Sequence, residues 1–249
     1  MSVLDEILAL PGFTPALLPV GAVMYAAWTA AYVSVIRQGC RQKTYGVPMV
    51  SLCLNVVWET IFSFNLTGAK LPAFFVWGNR FWLAPDVVIL ALFFLYGREN
   101  QTVPWVRRYF YPVAVGTLVA AAVGLPTFTL YFNDLKGVAS SMFMNLAMSA
   151  MYFPMLWNRP DLRGLGVSSA WLKMLGTAAG SVFLYHWWPA QFDHGVLTTH
   201  RWVREPGTFS FMLFLYVGIF VLDCVYIALL TARKRALAAA PPPGPATAG

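Results

Sequence analysis

The stretch VPMVSLCLNVVWETIFSFNLT, residues 47–67, carries one formal charge, Glu59, in an otherwise apolar run. As a helix it covers about 30 Å at 1.5 Å per residue, the thickness of a bilayer's hydrocarbon. Ser51, Asn55, Glu59 and Ser63 recur every fourth residue, so they form one polar stripe on that helix. A carboxyl group at such depth costs about 2.5–3.5 kcal/mol even on the mild insertion scale, which turns the stripe toward a bundle interior and marks it as functional. Further apolar stretches lie near 15–36, 75–97, 109–131, 138–157, 169–190 and 209–231. The predicted fold is therefore all-α, a polytopic membrane protein with a bundle of seven transmembrane helices. Composition agrees: of 249 residues 59% are hydrophobic and 11% charged, against about 25% charged in soluble domains.

Residues 1–14 read as a short amphipathic or loose lead. The third stretch is interrupted by Asn79, Arg80, Pro85 and Asp86, and its span is expected to start near Trp82. Residues 1–235 form one membrane domain, followed by an Ala- and Pro-rich tail at 236–249 that reads as disordered. Basic residues set the orientation. Arg37, Arg41, Lys43, Arg98, Arg107, Arg108, Arg159, Arg163, Lys173, Arg233, Lys234 and Arg235 fall on one side, twelve in all, and Lys70, Arg80, Lys136, Arg201 and Arg204 on the other. That bias places the N-terminus outside and the C-terminus in the cytoplasm. The connection at 191–208, with His194 and His200, is the longest on the outer side and is expected to form a cap.

Three acids fall inside apolar stretches: Glu59, Asp86 and Asp223. No basic residue is expected deep enough to pair with Glu59 or Asp223, and an unpaired carboxyl in hydrocarbon is carried as the neutral acid. Trp58 and Phe62 adjoin Glu59. Tyr216, Phe220, Asp223 and Tyr226 follow helical spacing in the last stretch, as do Trp82, Asp86 and Phe93 in the third. Ser141, Asn145, Ser149 and Tyr152 do so in the fifth, and Tyr25, Trp28 and Tyr32 in the first. The expected interior is a shared cavity for Glu59 and Asp223, walled by these aromatics, with Asp86 as an additional acid. Aromatic faces stabilise cations by roughly 0.5–2 kcal/mol each without supplying a nucleophile. A proton donor in such a cavity suits carbocation chemistry on a lipophilic polyene. The bland reading is that polar stripes only hold helices together, and it weighs most on the fifth stretch. Asp86, after Pro85, could simply face freed N–H groups. Trp77, Trp105, Trp187, Trp188 and Trp202 read as interfacial belt residues.

Several classes fall away. The basic residues are dispersed beside apolar segments, so nucleic acid is not an expected partner. Cys40, Cys53 and Cys224 form no disulfide framework or metal spacing. His194 and His200 have no third ligand near them, so no metal is expected, and no other cofactor. A retinal protein needs a lysine in its last helix, and 209–231 contains none.

With Glu59 and Asp223 placed, the chain resembles the small seven-span membrane terpene cyclases of fungal meroterpenoid and indole-diterpene pathways and their bacterial indole-sesquiterpenoid relatives. The resemblance rests on Asn55-Val56-Val57-Trp58-Glu59-Thr60-Ile61-Phe62 and Leu222-Asp223-Cys224, and extends in length and span count over nearly the whole chain. It implies that Glu59 and Asp223 are essential. It also implies non-ionising, protonation-initiated cyclisation of a farnesyl or longer prenyl chain joined to an aromatic or indole group. In agreement, no Asp-Asp-x-x-Asp, Asn-Asp-x-x-Asp or Asp-x-Asp-Asp run is present. The rival is a small proton-coupled transporter using the buried acids, although no inverted repeat or paired broken helices accompany them.

Reporter fusions before Ser2 and after Gly249 test the topology. The charge bias predicts opposite sides, with the C-terminal reporter cytoplasmic; both reporters on one side would remove the seven-span arrangement.

Overall fold

The computed structural model describes residues 3–9, 13–69, 71–193 and 206–239. Within them the chain forms nine helices and no strand: α1 Val3–Leu8, α2 Leu17–Gln42, α3 Met49–Ser63, α4 Ala73–Tyr96, α5 Pro104–Arg108, α6 Phe110–Tyr131, α7 Val138–Trp157, α8 Val167–Asp193 and α9 Pro206–Ala239. Each of the seven apolar stretches is helical. By length and hydropathy four are sufficient to cross a membrane: α2, α4, α6 and the Phe211–Ala239 part of α9. α3 is a shorter apolar helix. The outward faces are apolar, with Val115, Val119 and Val123 on α6 and Phe214, Val217 and Val221 on α9 all exposed. Water could not cover such a surface, and lipid does.

Prolines stand at the starts of α3 (Pro48), α4 (Pro72) and α5 (Pro104), where a missing N–H leaves nothing unpaired. α4 begins at Ala73 rather than near Trp82. Its polar residues are accommodated locally: Asn79 donates to the Phe75 carbonyl, and Arg80 donates to the Ser63 carbonyl while its guanidinium lies 4.6 Å from the Trp77 ring. The lead is not loose at α1. The Glu6 carboxylate accepts hydrogen bonds from the Ala73 and Phe74 N–H groups at 2.6 and 3.3 Å, capping α4. At the other end α9 continues to Ala239, so the expected tail is helical over residues 236–239. The rest of that tail, and the His194, His200, Arg201, Trp202 and Arg204 of the expected cap, lie outside the described residues.

Packing pairs α2 mainly with α8 and α3 with α4, while α9 lies against α7 and α8. Small residues permit the α2–α8 approach: a Cβ on Gly176 would stand 2.7 Å from Trp28 Cδ1. One end of the bundle is filled by a core that includes Tyr45, Leu52, Phe93, Phe110, Leu156 and Leu230. Buried Arg159 ties that end, donating to Thr44 Oγ1 and to the Tyr45 and Arg163 carbonyls while stacking over the Tyr45 ring at 4.2 Å. The opposite end, where α2 and α9 begin and α3 closes, is left open around a cavity.

The turn into α7 shapes that open end. Asp134 accepts hydrogen bonds from the Ala139 and Ser140 N–H groups at 3.1 and 2.7 Å, although burial pushes its carboxyl above the usual range. Gly137 precedes α7 with φ +73°, and a Cβ there would lie 2.5 Å from the Phe62 ring and 2.8 Å from Trp58. Gly137→Ala is therefore expected to cost about 1–3 kcal/mol, measured as a lowered thermal midpoint in detergent. An unchanged midpoint would mean that the turn and Phe62 are not held against each other.

Candidate active site

A cavity of about 450 Å³ lies between α2, α3, α4, α7 and α8, with Ile7 of α1 at its margin. That volume is within the range of small-molecule sites. Its wall is aromatic. Tyr25, Trp28 and Tyr32 come from α2, Trp58 from α3, Phe74, Phe75 and Trp82 from α4, and Phe183 and Trp187 from α8. Tyr25 stacks on Trp82 with centroids 4.5 Å apart and planes at 19°. Trp58 is fixed by its indole N–H, which donates to Ser140 Oγ at 2.9 Å, and by Phe62, whose ring centroid is 4.5 Å away. Phe62 itself is fully buried behind Trp58 and packs on Phe75.

Among the cavity-lining residues the single carboxyl is that of Glu59. It is 6% exposed, and its Oε2 has no hydrogen-bond partner. Asn55, one turn earlier on α3, also lines the cavity, as do Ser141 and Asn145 of α7 and Thr177 of α8. Asp86 lies behind this wall at 1% exposure. The Tyr32 side chain stands beside Asp86 and Asn55, and Asp86 is close enough to act electrostatically on Glu59. At the cavity mouth stands Lys136, in the loop before α7, whose ammonium is pulled below its usual range by burial.

Asp223 is elsewhere. The expectation of one cavity shared by Glu59 and Asp223 is overturned, since the two acids line separate spaces with no residue in common. Asp223 also has the basic partner that the sequence reading excluded: Lys173 Nζ stands 2.7 Å from Oδ1 and 2.8 Å from Oδ2. Lys173 therefore leaves the basic tally at the membrane edge, which becomes eleven against five. Tyr152 and Tyr226 belong with Asp223, in a small space of about 20 Å³, rather than with the aromatic cavity. Tyr216 is buried in a separate cluster with Met212, Leu215 and Ile219.

Phe220 is 48% exposed on the outside of α9. The inward face of α9 runs through Met212, Leu215, Ile219, Asp223, Tyr226 and Leu230. A four-residue step overshoots the helical period by about 40°, and from Tyr216 that step carries Phe220 out to lipid. Of the expected belt residues, Trp77 and Trp105 are exposed, whereas Trp187 lines the cavity. Lys173 was legible as a signal: it lies inside the apolar stretch 169–190, where a lone ammonium demands a buried anion. From spacing Tyr32 is simply an aromatic of the first span; its place beside Asp86 and Asn55 depends on how α2 meets α3 and α4.

The Pyr4-like transmembrane terpene cyclase family matches the chain over residues 18–236. The chain is similar to the Pyr4-family terpene cyclase mfmH of Annulohypoxylon moriforme, 25% identical over 70% of this chain and 72% of that protein. It is likewise similar to the terpene cyclase pyr4 of Aspergillus fumigatus, 25% identical over 84% and 83%. Asnovolin H synthase nvfL of Aspergillus novofumigatus is 28% identical over 61% and 62%. No solved structure matches.

Proposed function

This chain belongs to the Pyr4-like transmembrane terpene cyclases, and from that premise we propose that its aromatic cavity runs a protonation-initiated cyclisation with Glu59 as the proton donor. It is a multi-pass membrane enzyme, and a proton-coupled transporter is not favoured by its relatives. The observation that carries the assignment is that Glu59 is the carboxyl lining an aromatic cavity, with its Oε2 unpartnered. The proposed substrate is a prenyl chain joined to an aromatic group, such as a farnesylated indole, because the cavity offers ring faces along its wall and few polar groups.

In the proposed reaction the Glu59 O–H proton moves to the distal alkene of the prenyl chain, and the alkene π pair becomes the new C–H bond. For an epoxidised chain the proton goes to oxygen and the C–O bond opens to a hydroxyl. Successive π bonds then attack the cation and close rings. Tyr25, Trp28, Trp58 and Trp82 present faces that stabilise the moving charge, by roughly 0.5–2 kcal/mol each. The final cation loses a proton to a carboxylate, so the cycle is redox-neutral and restores the acid. Asp86, with Tyr32 beside it, serves Glu59 electrostatically: two carboxyls near each other in a dry site repel as anions, so the pair retains a proton for Glu59 to deliver. The orientation that goes with this reading is seven spans, N-out and C-in, with the cavity mouth on the outer side. No divalent metal is required, since no diphosphate leaves.

Turnover of a farnesylated indole by purified protein in detergent tests the reading. Glu59→Gln is expected to lose about 10²–10⁴-fold in kcat with an unchanged thermal midpoint; near-normal cyclisation would refute the donor assignment. Chelator is expected to leave wild-type turnover unchanged, and its loss would refute a metal-free route. Asp86→Asn and Tyr32→Phe are each expected to lower kcat on the order of tenfold. Their combination should be no worse than Asp86→Asn alone, and full additivity would separate Tyr32 from Asp86.

A further inference from the structure

Lys173 on α8, Asp223 on α9 and Ser149 on α7 form a buried polar cluster apart from the cavity. The Lys173 and Asp223 side chains are 7% and 3% exposed. The ammonium donates to both carboxylate oxygens and to Ser149 Oγ, which engages its three protons. Ser149 in turn donates to the Asn145 carbonyl at 3.0 Å. The space beside the cluster is about 20 Å³, room for one water and none for a prenyl chain. It is closed by Gly46, Gly164, Leu165 and the paired rings of Tyr152 and Tyr226, 5.0 Å apart.

We propose that Lys173 and Asp223 act as a charge-closed clamp joining α7, α8 and α9, and that Asp223 is a positioning residue that exchanges no proton with substrate. The clamp acts on the cavity through two short paths. On α8, Gly176 and Thr177 follow Lys173 by one turn and line the cavity, with Gly176 so close to Trp28 that a methyl group would not fit between them. On α7, Asn145 precedes Ser149 by one turn and lines the cavity as well. A shift of α8 along its axis would therefore move Trp28, and a shift of α7 would move Asn145. Loss of Asp223 damages catalysis in this account by leaving an ammonium without its anion, a defect that removal of the ammonium repairs.

The test rests on the cyclase reading for its activity measurement and uses full-length protein in detergent. Wild type, Asp223→Asn, Lys173→Met and the double variant Lys173→Met/Asp223→Leu are compared for thermal midpoint, turnover of a farnesylated indole and product ratio. Breaking a buried pair is strongly destabilising, whereas apolar replacement of both partners is often neutral. Each single variant is expected to melt lower, to lose on the order of a hundredfold in turnover and to change its product ratio. The double variant is expected to regain the wild-type midpoint and product ratio, with turnover within about tenfold of wild type. A double variant that melts like wild type but is as inactive as Asp223→Asn would overturn the proposal and return Asp223 to the chemistry. Single variants indistinguishable from wild type, or a double variant that does not fold, would also overturn it. If wild type itself turned over no farnesylated indole, the proposed substrate would fail, and recovery of the midpoint in the double variant would still decide the clamp.

Discussion

A carboxyl group in hydrocarbon must either meet a cation or keep its proton, because solvation there cannot hold an isolated anion. The bundle meets that constraint in two ways. Asp223 meets Lys173 in direct contact, with no room left for a ligand. Among the described residues Glu59 has no cation against it, and it borders a cavity of about 450 Å³. The same residue chemistry thus stands at two ends of one bundle, and packing decides which acid borders open space.

Packing at the two ends differs accordingly. Where α2 and α7 end, Arg159, Tyr45, Phe93 and Phe110 fill the space and hydrogen bonds bind the loops to the helices. Where α3 ends and α7 begins, Gly137 lets the chain turn against Phe62, Ser140 fixes the Trp58 indole, and α1 caps α4 through Glu6. Each of these features is outside the cavity or at its edge, and the Ser140 bond fixes a ring, Trp58, that faces it. A cation held by ring faces is sensitive to such angles, since the quadrupole that attracts it is directional.

Much of this was legible in the sequence. The helices lie where the seven apolar runs are, although α3, with 15 residues, is shorter than its run, and the Ser51–Asn55–Glu59–Ser63 stripe identified the inward face of α3. Tyr25 and Trp28 could be placed on that interior from spacing alone. Other features depended on contacts that spacing does not carry. Pairing of Lys173 with Asp223 depends on the relative heights of α8 and α9, and a lysine near a helix end counts equally well toward a basic membrane edge. Phe220 departs from its expected place because the buried face of α9 runs through Leu215, Ile219 and Asp223, and a four-residue step from Tyr216 passes beyond it. The helical start of α4 at Ala73 was hidden by Asn79 and Arg80, whose polarity is absorbed by nearby carbonyls and by Trp77.

Delivery of a proton from Glu59 to substrate carbon is the centre of the account, and isotope transfer reads it most directly. Protein equilibrated in D₂O is given a limiting amount of alkene-terminated farnesylated indole for a single turnover, and the cyclised product is examined by mass and NMR. Wild type is predicted to place one deuterium at the carbon that accepts the initiating proton, and Glu59→Gln to form no such product. Cyclised wild-type product without deuterium, or deuterated product from Glu59→Gln at the wild-type rate, would contradict it.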